Sequence, residues 1–323
     1  MRVMILNDRL RRRFRLHLLR WYDREKRNLP WRGESDPYRI LVSEIMLQQT
    51  RVAVVEDRYR KFLRQFPTVR KLARATEESV LAAWSGLGYY RRARNLYAAA
   101  KQMAGNGGFP ESSAELMQLP GIGRYTAAAV ASIAFGEPAA VVDGNVKRVL
   151  QRFTGRELSE RRHWEAAQEL LEPRRPGDFN QAMMELGAVV CLPRQPLCNR
   201  CPVIKLCASR GAAVRKKSTP RRKATLSYLL TQRRGQVFLQ QRHSDLSLMP
   251  GMWELPPAKN AKIKREPVLK LRHSITVTDY SILVFAGSSK NLADGRWVPL
   301  DKLDRLPLTG LTCKILKRVA LLK

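Results

Sequence analysis

Acidic side chains are in short supply here. Asp and Glu together number 28 against 60 Lys and Arg in 323 residues, a formal net charge of +32 at pH 7. On a chain that is 44% hydrophobic, such a surplus argues against an acidic or neutral partner and for a polyanion, with nucleic acid first in line. Long apolar runs are missing as well. No stretch approaches the roughly 18 residues of a membrane span, so no membrane partner is expected. Although Arg9 to Arg15 is rich in arginine, Asp8, Asp23 and Glu25 lie close by and no cleavage pattern follows. The segment therefore reads as a basic helix of an intracellular protein and not as a transit peptide.

Cysteine is scarce and unevenly spread. Four of the five, Cys191, Cys198, Cys201 and Cys207, form a C-x6-C-x2-C-x5-C set, and Cys313 stands alone. A disulfide framework suits small secreted domains, which this chain is not. Four thiolates this close need a metal to offset their repulsion. Structural zinc sites usually pair short C-x2-C units across a longer spacer, whereas an iron–sulfur cubane accepts a looser wrap. The spacing therefore favours a [4Fe–4S] cluster over zinc.

What is present is organised around Leu119 to Val149. Leu119-Pro120-Gly121-Ile122-Gly123 is a turn whose glycines permit backbone conformations closed to other residues. The spacing predicts a helix over 126–134 directly after it. Outward N–H groups of the turn and the positive helix end suit a phosphate, with Arg124 adding charge. Asp143 ends the apolar run Ala139 to Val142 and precedes Gly144-Asn145. Taken alone, it reads as a cap on a helix over 145–153. Upstream, Asp36 and Pro37 open a helix reaching about Gln49, and Glu44 sits among Ile40, Leu41, Val42, Ile45, Met46 and Leu47. Burial there would raise its pKa and favour the acid form. Gly86-Leu87-Gly88-Tyr89-Tyr90 followed by Arg91, Arg92 and Arg94 is a flexed turn suited to wedging between bases, or to packing inward through Tyr90.

After a basic stretch at 209–224 the composition changes. Residues 226–231, 237–241 and 274–286 read as strands and 309–322 as a closing helix, an α+β region of about 100 residues.

These motifs, in this order, resemble the adenine DNA glycosylases of the MutY type, within the endonuclease III and helix-hairpin-helix superfamily: LPWR at 29–32, SEIMLQQT at 43–50, GLGYY at 86–90, LPGIGRYTA at 119–127, VDGNVKRV at 142–149, FNQAMMELGA at 179–188 and the cysteine set. The resemblance implies a multidomain chain. An all-α helix-hairpin-helix glycosylase would occupy 1–208, with a six-helix barrel at about 30–135 and an iron–sulfur subdomain from 1–29 and 136–208. A linker at 209–224 would then lead to a small, truncated α+β Nudix-like domain at 225–323. Removal of adenine opposite 8-oxoguanine or guanine in double-stranded DNA is implied, by a bacterial, cytoplasmic, nucleoid-associated monomer; a related glycosylase acting on mismatched thymine or a damaged pyrimidine, and a catalytically silent iron–sulfur DNA-binding protein, are the alternatives. Cleaving an N-glycosidic bond calls for an acid at the departing base and negative charge beside the sugar cation, roles that fall to Glu44 and Asp143. By the same likeness Tyr125 and Asn145 support Asp143, and Arg27, Leu29, Trp31, Gln181 and Met184 line the base pocket. Gln49, Thr50, Leu87 and Tyr89 stand at the mismatch, while Gly121, Gly123 and Arg124 hold the backbone. The cluster ligands are Cys191, Cys198, Cys201 and Cys207.

Two further absences sharpen that reading. Bifunctional relatives carry a lysine where this chain has Tyr125, and a phenol forms no Schiff base, so a monofunctional enzyme is expected. No G-x5-E-x7-REUxEE run follows Met249-Pro250-Gly251-Met252-Trp253-Glu254-Leu255-Pro256, which argues against pyrophosphate hydrolysis. The lesion-reading loop expected as Phe-Ser-His stands as Ile275-Thr276-Val277, with His273 and Ser274 beside it.

Overall fold

The computed structural model describes residues 7–210, 222–243, 245–246, 249–258, 266–275, 278–287 and 295–322. Most of the basic linker and Thr276-Val277 lie outside that set. The described residues fall into two compact units. One draws on Met1–Leu63, Thr68–Arg70 and Ala98–Lys216, the other on Arg64–Pro67, Lys71–Tyr97 and Lys217–Lys323. The chain thus passes into the second unit three times.

Helices account for the chain up to the cysteines: α1 Asp8–Glu25, α2 Pro37–Leu47, α3 Val52–Gln65, α4 Val69–Ala73, α5 Glu77–Ala83, α6 Arg91–Gly105, α7 Ser113–Leu116, α8 Arg124–Ala134, α9 Gly144–Thr154, α10 Glu160–Leu170 and α11 Pro176–Val189. Local chemistry sets their starts. Asp36 accepts from the N–H groups of Tyr38 and Arg39, with Pro37 in the first turn of α2. Ser112 and Glu115 close a reciprocal cap on α7. In the first unit α1, α9, α10 and α11 share a core around Phe14, Leu18, Phe153 and Phe179, where the Phe14 and Phe153 rings meet edge to face at 4.7 Å. Beside it, α2 lies against α8.

The second unit holds two small sheets. In one, β6 (Thr278–Ala286) runs between β1 (Arg222–Leu230), parallel to it, and β5 (Leu269–Ile275), antiparallel to it. In the other, β3 (Gln236–Gln241) pairs with β2 (Gln232–Arg233), β4 (Trp253–Glu254) and β7 (Gly295–Pro299). Helix α12 (Gly310–Arg318) packs Leu311, Ile315 and Leu316 into their common core, with Thr309 as its N-cap. The single strand expected over 274–286 is a correction: it is the end of β5 and all of β6, with Ile275 opposite Thr278. Nothing in Ile275-Thr276-Val277-Thr278 marks the reversal, because β-branched residues run through it without Gly, Pro or Asn. Tyr90 takes the inward option. Its ring is buried and its hydroxyl donates to the Leu308 carbonyl at 2.7 Å.

Candidate active site

Within the first unit, a cavity of about 620 Å³ opens between α2, the start of α8, the start of α9 and α11, lined among others by Glu44, Tyr125, Asp143, Asn145, Gln181 and Met184. Its size lies within the roughly 300–1,000 Å³ of small-molecule pockets. Arg27, Leu29, Trp31, Gln49, Thr50 and Gly123 also line it. Twelve of the sequence-derived residues are therefore gathered around one space.

Glu44 is carried inward because α2 is apolar on nearly every side, with Tyr38, Ile40, Leu41, Val42, Ile45 and Met46 all buried. Only 6% of the residue is exposed. Burial pushes its carboxyl above the ordinary glutamate range, against the Tyr125 hydroxyl and the Arg32 charge, which pull it down. The Tyr125 hydroxyl, on the first turn of α8, donates to Glu44 Oε2 at 2.8 Å and lies 3.2 Å from Met184 Sδ. Its own pKa is driven well above that of free tyrosine, by burial first and then by the Glu44 and Asp143 charges, so Tyr125 stays a donor.

Asp143 is both a helix cap and a cavity wall. Oδ1 accepts from the Val146 N–H at 2.7 Å and Oδ2 from Asn145 Nδ2 at 2.9 Å. Asn145 is fixed in turn, because Arg148 Nη2 donates to its Oδ1 at 2.8 Å and to the Gly187 carbonyl at 2.7 Å, while Arg148 Nε donates to the Cys191 carbonyl at 2.8 Å. A hydrogen-bonded chain thus leads from Asp143 to the cysteine loop.

The sequence reading missed Arg32 and Glu185. Arg27 binds Glu185 through two nitrogens at 2.6 and 2.9 Å, and Arg32 Nη2 reaches the same carboxylate at 2.8 Å. Burial pulls the Glu185 carboxyl up, but the Arg27 hydrogen bonds and the two guanidinium charges outweigh it and hold it below the ordinary range. Arg32 Nη1 also donates to Gln181 Oε1. A guanidinium has no acceptor, so the Gln181 amide is oriented with its NH₂ end free for the cavity. The available signal was Glu185 four residues beyond Gln181, on the same face of α11.

Other expected residues are placed elsewhere. Gly121 has φ +72°, as the turn requires, but Gly123 has φ −91° and serves instead as the N-cap of α8, with no side-chain cap there and open space where a Cβ would stand. Only one of the two glycines is thus needed for its backbone freedom. Neither Gly121 nor Arg124 lines the cavity, and the Arg124 guanidinium lies 4.0 Å over the Trp164 ring. Leu87 and Tyr89 belong to the second unit. Leu87 is 4% exposed and Tyr89 42%, so the tyrosine is the solvent-facing member of the pair. Tyr89 has φ +50° and Gln49 φ +57°, left-handed conformations that cost a non-glycine residue on the order of 1 kcal/mol or more.

The four clustered thiols lie close enough to influence one another. Burial, followed by the charges of Cys191, Cys207 and Cys198, pushes the Cys201 thiol up to about 11. Arg152, itself buried, donates to Cys191 Sγ at 3.3 Å and to the carbonyls of Leu192 and Pro193 at 2.6 and 2.8 Å. Cys207 Sγ donates back to the Arg152 carbonyl at 3.4 Å. Among the described residues no group of three or more His, Cys, Asp or Glu side chains closes on a single-ion site.

The helical part of the chain resembles known proteins. Residues 42–173 match the HhH-GPD superfamily of base excision DNA repair proteins. A solved thermostable thymine-DNA glycosylase is 31% identical and superposes with a TM-score of 0.60, over 64% of this chain and 98% of that one. The chain belongs to the HhH-GPD superfamily. Within it, 216 residues are 50% identical to the adenine DNA glycosylase of Rattus norvegicus, 60% of this chain and 41% of that protein. A second adenine DNA glycosylase, from Buchnera aphidicola subsp. Baizongia pistaciae, is 41% identical over 199 residues, 59% of this chain and 57% of the other. The chain thus spans less than two thirds of these relatives' own length. A trapped endonuclease III–DNA intermediate, at 24% identity and a TM-score of 0.54, shares the fold.

Proposed function

We propose that this protein is a monofunctional DNA glycosylase of base excision repair that hydrolyses adenine from duplex DNA where it lies opposite 8-oxoguanine or guanine. The observation that carries this reading is the single cavity in which Glu44, Tyr125 and Asp143 meet. An extruded base entering it meets Glu44 as the proton donor to the departing purine, the role its buried setting suits. Asp143, held by Val146 and Asn145, stands where negative charge stabilises the sugar cation. The Gln181 NH₂ group, aimed by Arg32, offers donors to acceptor atoms on the base edge. Likeness to adenine DNA glycosylases over the helical part supports adenine as that base. The likeness to a thymine-DNA glycosylase makes thymine the reading to test against it.

Single-turnover base release from duplexes carrying 8-oxoguanine:A, G:A and G:T is the test. Adenine release from the first two and no thymine release from the third are expected; thymine release alone would sink the adenine assignment. Borohydride should trap no protein–DNA adduct, because Tyr125 offers no amine.

Cys191, Cys198, Cys201 and Cys207 would hold a [4Fe–4S] cluster. The C-x6-C-x2-C-x5-C spacing suits the wider cage of a cubane better than a tetrahedral zinc. Such a group supplies a rigid, charge-compensated fold for the loop, and the chain's own contribution is Arg152, which pins Cys191 and two neighbouring carbonyls. Iron analysis should find iron and sulfide, both lowered in a Cys198→Ser variant. Stoichiometric zinc instead would overturn the cubane.

A further inference from the structure

The run that delivers Asp143 to the cavity belongs to no helix or strand: residues 136–143 are irregular backbone between α8 and α9. Its end is nevertheless buried, with Ala140, Val141 and Val142 between 1% and 5% exposed. Buried peptide groups outside a regular element need partners from elsewhere. Two side-chain amides supply them. Gln168 on α10 accepts from the Ala140 N–H at 3.0 Å and donates to the Pro138 carbonyl at 2.8 Å. Asn180 on α11 accepts from the Val141 N–H at 3.1 Å and donates to the Ala139 carbonyl at 2.8 Å.

Pro138 and Ala140 thus turn their backbone groups to α10, and Ala139 and Val141 turn theirs to α11. The two amides grip opposite edges of the run as neighbouring strands would. Because each amide uses both its donor and its acceptor, this clamp fixes the run along its length as well as sideways. Asn180 is itself 2% exposed, and its Nδ2 also donates to Ser132 Oγ on α8 at 2.9 Å. Gln181, the next residue of α11, lines the base cavity and meets Arg32. Val141 in turn belongs to a small apolar cluster with Tyr125 and Met184. One helix therefore carries both a wall of the cavity and a hold on the run that ends in Asp143.

We infer that Asn180 is a positioning residue for Asp143, assisted by Gln168: the two amides hold 138–141 so that the carboxylate two residues further on stays at the cavity wall. The inference rests on the glycosylase reading for the task of that carboxylate beside the sugar. Its geometric part can be measured without base release. The Val146 N–H donates to Asp143 Oδ1, so its exchange with solvent reports whether the carboxylate stays in place.

The test compares Asn180→Leu, which keeps a similar volume, with Gln168→Met at an exposed position, each in the full-length chain. Single-turnover base release should fall about 10²-fold in Asn180→Leu, the scale of a displacement near 1 Å, and less in Gln168→Met, with duplex affinity unchanged in both. Hydrogen exchange should quicken about tenfold at Val141 and Val146 in Asn180→Leu, and at Ala140 and Val146 in Gln168→Met. Leu150, in the middle of α9, should keep its protection. Ser132→Ala removes a neighbouring buried hydrogen bond but leaves the clamp, so it should alter neither the rate nor Val146. Unchanged Val146 protection in a folded variant, loss at Leu150 in step with Val146, or equal effects of Ser132→Ala would each overturn the assignment. If Asn180→Leu does not fold, Gln168→Met carries the same measurement. A wild type that releases no base removes the glycosylase reading and leaves the exchange result to decide this one.

Discussion

Glu44 is pulled in two directions. Removal from water favours its neutral form, while the Tyr125 hydroxyl and the Arg32 charge favour the ionised one, and burial wins. Two outcomes follow. Glu44→Gln keeps the volume and loses the proton, so base release should fall about 10²–10⁴-fold while duplex binding is kept; single-turnover rates paired with a binding titration measure this. Because the folded-state pKa is raised, the stability that Glu44 contributes is complete below the unfolded glutamate pKa and is lost as pH rises through the folded value. Thermal midpoints of Glu44→Gln relative to the wild type should therefore rise with pH, and the wild-type rate should decline over the same alkaline side. A midpoint difference independent of pH would mean that Glu44 is not buried as an acid. At this scale the sequence was informative where a residue type was out of place, as with a glutamate among Ile40, Leu41, Ile45 and Met46. It gave no hint that Arg32 would meet Gln181 and Glu185, since those partners lie 149 and 153 positions away and only the fold joins them.

Helices bring Asp143 to Glu44, and their closeness depends on one small residue. Gly187, on α11, lies so near the first turn of α9 that a Cβ on it would stand 2.6 Å from Asn145 Cβ and 3.0 Å from the Asn145 carbonyl oxygen. Both neighbours are fixed, one in a helix start and the other in the Arg148 hydrogen bonds. Gly187→Ala must therefore push α9 outward and take Asn145 and Asp143 with it. Overpacking of this kind costs roughly 1–3 kcal/mol, and a displacement near 1 Å at a reacting group can cost about 10²-fold in rate. Thermal melts and single-turnover base release should show both losses together. A stable variant with a normal rate would show that α9 can retreat without moving the site. Elements themselves were readable from local signals: Asp36 before Pro37 and Asp143 before Gly144 each place a helix start. Close approach between helices is not local, and a glycine inside FNQAMMELGA carries no mark of the side chain it faces.

Across the whole molecule, compactness does not follow chain order. The helical segment Lys71–Tyr97 is grouped with the sheets that begin more than a hundred residues later, and not with the helices on either side of it. Its attachments within that unit are specific: Tyr90 donates to the Leu308 carbonyl at 2.7 Å, and Arg94 reaches the Pro250 carbonyl at 2.6 Å and Glu77 at 2.7 Å. The turn that bears Tyr89 is further tied down by Arg92, which donates to the carbonyls of Leu87 and Gly88 at 3.0 and 3.1 Å and lies over the Trp84 and Tyr89 rings. A change of composition near residue 225 is visible in sequence, but a chain that leaves one unit and re-enters it later offers no such boundary. If this grouping governs stability, Tyr90→Phe should weaken the second unit by about 1–2 kcal/mol, the net worth of a buried hydrogen bond plus the acceptor it leaves behind. Native-state hydrogen exchange tests the consequence, because amides that open in one cooperative unit lose protection together. In the variant, α5 and the first turn of α6 should exchange faster in step with β1, β3 and β6, while α8, α9 and α11 keep their wild-type protection. Exchange of α5 that instead tracks α8 and α9 would show that residues 71–97 unfold with the helical unit, and that the sheets do not hold the turn carrying Tyr89.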